Sequence, residues 1–206
     1  MSDDFLEGEM NIFTLINYEL LDGLVIFAET IKDENIVHRI VASAKAAKVP
    51  VVSVDHLIEG CYNIVYDYRG AMEKLVRHVV EEHDFKRIEY IGGIPGNPAS
   101  QERLDVFCKV MEENGKTVAP SQLHYGYFWS KPTEKVMDEI LARDAQEIPD
   151  AIVCANDAMA LVVCKKLRLA GLGVPEDVVV TGFDGILETS YHTPKLTTAM
   201  MDAEVV

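Results

Sequence analysis

Four polar side chains of complementary chemistry are expected to gather near the ends of apolar segments of strand length: Asp55, Arg103, Asn156 and Asp184. Carboxylates, a guanidinium and an amide together supply paired hydrogen-bond donors and acceptors, which suit a polyhydroxylated or otherwise polar ligand. Each residue also has a plainer interpretation. Asn156 or Asp157 could only cap a helix, Asp184 could be a turn residue, and Arg103 could form a surface ion pair. These residue types indicate a ligand site without establishing one.

The sequence lacks the usual signals of catalysis or of a bound nucleotide. The segment Gly92-Gly93-Ile94-Pro95-Gly96 does not match Gly-x-Gly-x-x-Gly, and there is no Gly-Lys-Ser/Thr phosphate loop. No nucleophile elbow is present, and His56 is more simply a solvated loop histidine than a catalyst. The cysteines and histidines show no metal-ligand spacing. We therefore predict a binding protein that is not an enzyme and that has no metal and no cofactor. An enzyme with a doubly wound sheet is the alternative.

The charge balance argues against polyanionic partners. The chain has 19 Lys and Arg residues against 34 Asp and Glu residues, a net charge of −15. Nucleic-acid affinity depends largely on basic residues that neutralise phosphates, so we expect no direct DNA contact by this chain. No apolar run approaches the ~18 residues of a membrane helix. The acidic N-terminus does not resemble a signal peptide, and the four cysteines are expected as free thiols, so we predict a cytoplasmic protein.

Strands and helices are predicted to alternate along the chain. Strands are predicted at 24–28, 51–54, 63–66, 87–91, 151–154 and 178–181, most of them rich in apolar residues. Between them lie helical patterns, for example from about Tyr68 to His83 and in a helix capped by Ser100 and closed by Gly115. Continuous apolar strands are typical of a parallel sheet covered on both faces. In such sheets ligands bind beyond the carboxyl ends of the strands, which is where the four polar residues fall.

Several segments resemble the effector-binding region of LacI/GalR-family transcriptional regulators. The C-terminal half of those repressors is similar to Ala155–Leu161, Leu169–Val178, Thr181–Ile186 and Tyr191–Thr198. Upstream, Asp67–Ala71, Phe85–Ile88 and Ser100–Arg103 resemble the central segment of the family. Order and spacing agree, and the similarity extends from about Leu21 to Asp202.

The resemblance implies an α/β, two-lobed, periplasmic-binding-protein-like type I fold, with parallel sheets flanked by helices and a ligand cleft between lobes. It implies an N-terminal lobe at 1–66, a C-terminal lobe at 67–193, and a crossover at 194–206 that returns to the first lobe. Positions that match Arg103, Asn156 and Asp184 contact the effector in relatives, as does the one that matches Asp55 in sugar-binding members. An aromatic residue commonly lines the cleft after Gly126, which points to Phe128, with Trp129 as a second candidate. The expected effector is a sugar or a nucleoside-like molecule.

The chain also departs from the family pattern. Neither the DNA-binding headpiece nor the opening strand–helix unit is recognisable, so we expect a truncated first lobe and DNA contact only through a headpiece absent from this chain. Tyr68 is bulkier than the pattern suggests. We expect a homodimer with no membrane contact. Two alternatives stay open: a sensor region coupled to another signalling output, such as a diguanylate cyclase domain, and a solute-binding protein for transport.

Overall fold

The computed structural model describes residues 12–28, 31 and 33–200, and it divides the chain into two compact units between Tyr66 and Asp67. Within the described residues, no helix is long and apolar enough to cross a membrane. Parallel sheets flanked by helices form both units, which confirms the predicted α/β class. Each unit is described by itself below.

The first unit is a three-stranded parallel sheet with one long helix. Its elements are β1 (Leu24–Phe27), α1 (Glu34–Ala46), β2 (Val51–Val54) and β3 (Tyr62–Ile64), with the strands in the order β1-β2-β3. Asp33 caps α1 by accepting a hydrogen bond from the Asn35 backbone N at 2.9 Å. The apolar stripe of α1 packs with Ile26 and Val51 of the sheet in one buried cluster. This packing holds β2 in place, and Asp55 directly follows the carboxyl end of that strand.

The other face of this sheet is apolar and open among the described residues. Strand register aligns Val25 with Val52 and Tyr62, and Phe27 with Val54 and Ile64, in two cross-strand rows. Val25 is 58% exposed, Phe27 59% and Tyr62 72%. A parallel sheet normally has both faces covered, so this face is incompletely packed within the part of the chain that the structure describes.

The second unit is a five-stranded parallel sheet with the strand order β5-β4-β6-β7-β8. Its strands are β4 (Ile88–Gly92), β5 (Leu123–Tyr125), β6 (Ala151–Cys154), β7 (Val179–Asp184) and β8 (Thr197–Met200). Its helices are α2 (Tyr68–Glu81), α3 (Pro98–Glu113), α4 (Ser130–Leu141), α5 (Asp157–Leu169) and the short α6 (Leu187–Tyr191). Every residue of β4 and β6 is buried, as expected for central strands covered by helices on both faces.

Two helix starts decide where the site residues lie. The predicted cap of α3 at Ser100 is wrong: Asn97 Oδ1 accepts the Ser100 backbone N–H at 3.0 Å, and Pro98 occupies the first turn. Proline suits that position because its missing N–H needs no partner there. Asn156 caps α5 by accepting the Met159 backbone N–H at 3.0 Å. Asn156 therefore has the structural role of a helix cap, and a role in ligand binding would be additional to it.

The second unit extends beyond the boundary predicted at Thr193. Strand β8 pairs with β7 from Thr181 opposite Thr197 to Asp184 opposite Met200, so residues 197–200 belong to this sheet. The segment Thr197-Thr198-Ala199-Met200 is polar and only partly buried, and it gave no strand signal. The return of the chain to the first lobe stays a prediction, and residues 201–206 lie outside the described residues.

Candidate functional site

Three of the predicted site residues meet at the carboxyl edge of the second sheet. Arg103 lies on α3, Asn156 directly follows Ala155 at the end of β6, and Asp184 ends β7. Arg103 Nη1 donates a hydrogen bond to the Ala155 carbonyl oxygen, and Arg103 Nη2 lies 3.4 Å from Asp184 Oδ1. The guanidinium therefore links the ends of two neighbouring strands.

The Arg103 side chain is nearly enclosed, with 11% of its surface exposed. Its guanidinium carbon lies 4.1 Å from the centroid of the Phe183 ring and 6.0 Å from that of Tyr68. Its Nε is buried and has no hydrogen-bond partner among the described residues. A buried donor without a partner is costly, so Nε is a candidate donor to a bound ligand.

Asp184 is held in an unusual backbone conformation beside this guanidinium. Its φ is +107°, a backbone angle that residues other than glycine rarely adopt. Burial raises the pKa of Asp184 above its ordinary range, and this outweighs the opposing effect of the Arg103 charge. Such strain and such shifts cluster at functional sites, although structural ion pairs also produce them.

Asp157 supports the loop that carries Asp184, and sequence reasoning treated it only as a possible cap. The side chain is fully buried: Oδ2 accepts the Ile186 backbone N–H at 2.8 Å, and Oδ1 accepts the Thr198 hydroxyl at 2.6 Å. A Cβ on Gly182 would lie 2.1 Å from Asp157 Oδ1, so only glycine leaves room there. One carboxylate thus connects α5, the turn after β7, and β8.

Phe128 rests against the glycine backbone at the end of β4. Tyr127 and Phe128 both adopt left-handed conformations, with φ of +56° and +63°. A Cβ on Gly93 would lie 2.0 Å from the Phe128 ring. Gly126 donates its N–H to the Gly92 carbonyl at 2.9 Å, which ties this turn to the same edge of the sheet. Phe128 is therefore positioned at the edge where Arg103 and Asp184 lie.

The close approach of Phe128 to Gly93 gives a first testable prediction. Gly93→Ala should displace the Phe128 ring, because the new methyl group and the ring cannot occupy the same space. Trp129 is the only tryptophan of the chain and adjoins Phe128, so its fluorescence emission should change. Gly23→Ala is a matched control, because a Cβ there meets only Pro50 at an ordinary 3.8 Å. Identical emission spectra for Gly93→Ala and the unaltered protein would contradict the assigned Phe128 position.

Asp55 belongs to the first unit, where it follows β2. Its φ is +60°, and its backbone N–H donates to the Ile64 carbonyl at 2.8 Å. The neighbouring His56 lines a pocket of about 390 Å³ together with His38 and Ile58. The part that Asp55 plays in a ligand site stays a prediction. Among the described residues, no cluster of three or more His, Cys, Asp or Glu side chains is placed to hold a metal ion.

Comparison with known proteins identifies the family. Residues 76–206 match the profile of the family described as "Periplasmic binding protein-like domain". The chain belongs to this periplasmic binding protein-like family. Its relatives include the "HTH-type transcriptional repressor PurR" of Pasteurella multocida, 32% identical over 70% of this chain and 39% of that protein. They also include the "HTH-type transcriptional repressor CytR" of Escherichia coli, 28% identical over 93% of this chain and 54% of that protein.

Solved structures of LacI family regulators share this fold. A LacI family regulator from Lactobacillus casei with bound sucrose gives a TM-score of 0.75 at 23% identity, covering 96% of this chain and 71% of that one. A LacI family regulatory protein from Chloroflexus aggregans gives 0.75 at 20% identity, covering 96% and 69%. The predicted type I fold and the LacI/GalR-type resemblance are confirmed. The chain spans 39% of the PurR relative and 54% of the CytR relative.

Proposed function

We propose that the carboxyl edge of the second unit binds a small polar effector, and that this region is the effector sensor of a LacI-type transcription regulator. The observation that carries the proposal is the buried Arg103 guanidinium beside Asp184, with Nε unpartnered among the described residues. Donor and acceptor groups lie next to each other there, and a ligand with hydroxyl or amide groups can use both.

Phe128 supplies the apolar part of this proposed site. An aromatic ring at the strand ends can pack against the apolar face of a sugar or a base. The Lactobacillus casei regulator was solved with bound glucose as well as sucrose. Because those chains are 24% and 23% identical to this one, the two sugars provide probes for an assay and do not identify the ligand.

The proposed role is regulatory and not catalytic. An effector that binds one conformation of the region better than another shifts the population toward it, and the shift can be transmitted to an output domain. In this proposal the region works as a homodimer, and DNA is contacted through a separate DNA-binding headpiece. The names of the PurR and CytR relatives favour this function over solute transport and over an enzyme.

Two substitutions test the proposed site. Arg103→Ala and Asp184→Ala should each weaken effector binding about ten- to a hundredfold, because a hydrogen bond to a charged group is worth ~1.5–3 kcal/mol. Calorimetric titration with glucose, sucrose and a panel of nucleosides, supported by Trp129 fluorescence, measures the affinity. Arg103→Ala should also lower the thermal midpoint, because Arg103 donates to the Ala155 carbonyl.

Arg69→Ala is the matched control, since Arg69 is 53% exposed and pairs loosely with Glu102 at 3.9 Å. We expect it to bind the effector as the unaltered protein does. If the Arg103 and Asp184 variants lose stability but keep full affinity for a ligand found in the panel, both residues are only structural. If no member of the panel binds the unaltered protein, the proposed effector class is wrong.

A further inference from the structure

The Arg103 guanidinium lies beside two aromatic rings that come from different elements, close to one and at the limit of contact with the other. Phe183 belongs to β7, and Tyr68 is the first residue of α2. The two rings are 6.2 Å apart between centroids and are tilted by 47°. Asp67 fixes the start of α2, because its Oδ1 accepts the Gly70 backbone N–H at 2.8 Å. The helix cap therefore sets where the Tyr68 ring lies.

The hydrogen bonds of Arg103 hold the Nη1 side of its guanidinium group firmly and the Nε–Nη2 edge only weakly. Nη1 is bonded to a fixed backbone carbonyl, whereas Nη2 reaches Asp184 only at 3.4 Å, the long limit of a hydrogen bond. Nε, which shares an edge of the guanidinium plane with Nη2, has no partner among the described residues. Packing against aromatic rings can hold a guanidinium plane where hydrogen bonds do not, through cation–π attraction and exclusion of water.

We propose that Tyr68 is a positioning residue of the effector site: its ring, with that of Phe183, holds the Arg103 guanidinium so that the Nε–Nη2 edge stays beside Asp184 and can bind a ligand. This inference rests on the proposed function for its ligand, but the positioning itself is a property of the protein alone. It gives a role to the bulky residue by which this chain departs from the LacI/GalR pattern. We assign this effect to the ring, and comparison with Tyr68→Phe tests the assignment.

The first test needs no ligand. The charge of Arg103 opposes the burial effect on Asp184, and Asp157 adds a like charge nearby. If Tyr68 holds Arg103 in place, Tyr68→Ala and Tyr68→Leu should both move the pKa of Asp184 further upward. Tyr68→Phe should leave it where it is. Carbon-13 NMR titration of the labelled aspartate carboxyl groups measures this, with Asp184→Asn to assign the signal. Tyr62→Ala, which removes an exposed tyrosine of the first unit, is the control.

The second test uses any probe that binds among glucose, sucrose and the nucleoside panel. Tyr68→Leu should weaken its binding about three- to thirtyfold, and Tyr68→Phe by less than about twofold. Tyr68→Leu also keeps an apolar side chain on the Phe183 ring, so it guards against a variant that fails to fold.

The outcomes separate the two proposals. If the pKa of Asp184 shifts upward in Tyr68→Leu but no probe of the panel binds the unaltered protein, the positioning role is supported and the proposed function is contradicted. An unchanged Asp184 titration in Tyr68→Leu overturns the positioning role even if a ligand binds. An equal upward shift in Tyr68→Phe and Tyr68→Leu also overturns it, because loss of the hydroxyl group and not of the ring would then explain the shift.

Discussion

Glu89→Ala should lower the free energy of unfolding of the second unit by about 3 kcal/mol, the scale for breaking a buried ion pair. Glu89 lies in the central strand β4 and is only 4% exposed. His124 Nε2 lies 2.7 Å from one carboxylate oxygen, and Arg143 Nη1 donates to the other at 2.6 Å. Without the carboxylate, both partners lose their hydrogen bonds in a largely buried place. Arg143 can partly reach water, which keeps the loss from being larger.

Urea denaturation at neutral pH measures this loss. Glu147→Ala is the matched control, because Glu147 is an exposed carboxylate that lines the same pocket as Glu89 and Arg143. We expect its midpoint to stay within experimental error of the unaltered protein. If both substitutions lower the free energy of unfolding by the same small amount, the cluster of Glu89, His124 and Arg143 (the Glu89 cluster) contributes no more than a surface charge.

The Glu89 cluster also predicts a pH dependence. Burial disfavours the ionised carboxylate, but His124 and Arg143 outweigh it, so the pKa of Glu89 is lowered. The folded protein therefore binds fewer protons here than the unfolded chain, and the stabilisation is present above the ordinary glutamate pKa and lost as pH falls through the lowered value. Glu89→Gln should flatten the acid limb of the stability curve. If the stability of Glu89→Gln falls with decreasing pH as steeply as that of the unaltered protein, other carboxylates cause the loss of stability in acid.

The strand–helix alternation could be predicted because the central strands are buried on both faces. In β4 and β6 every residue is buried, so β6 appears as a continuous apolar run and β4 as one interrupted only by Glu89. The edge strand β8 is missed for the opposite reason: it is a Thr-rich segment whose side chains are only partly buried. Burial pattern, and not strand propensity, separates the two cases.

The candidate site was predictable in part. Arg103, Asn156 and Asp184 follow from the family resemblance and from the rule that parallel strands bring their carboxyl ends to one edge. Glu89 and Asp157 were not predicted, because their roles depend on partners far along the chain. His124 lies 35 residues from Glu89, and Thr198 lies 41 residues from Asp157. A charged residue inside an apolar strand is the available signal for Glu89, since such a residue is rarely buried without a partner.

Asp157→Ala should be the most disruptive substitution near the proposed site, with a loss of about 3 kcal/mol in unfolding free energy from two unsatisfied, partly buried donors. The Ile186 backbone N–H and the Thr198 hydroxyl both lose their acceptor. Asp144→Ala is the control, because Asp144 is exposed and its side chain makes no capping hydrogen bond. Thermal and urea denaturation compare the two variants. A loss no greater than that of Asp144→Ala would contradict the anchoring role.

Asp157→Asn separates the charge from the hydrogen bonds. Burial raises the pKa of Asp157, so its ionised form is penalised in the folded protein, and stability falls as pH rises from the ordinary aspartate pKa through the raised value. An asparagine removes this slope, but its amide group can accept from only one of the two donors. We therefore expect an intermediate stability at neutral pH with a flatter pH dependence.

Because the turn from Gly185 to Ile186 follows Asp184 directly, the Asp184 carboxyl signal should also shift in both Asp157 variants. An unshifted signal would show that Asp157 stabilises the fold without positioning Asp184.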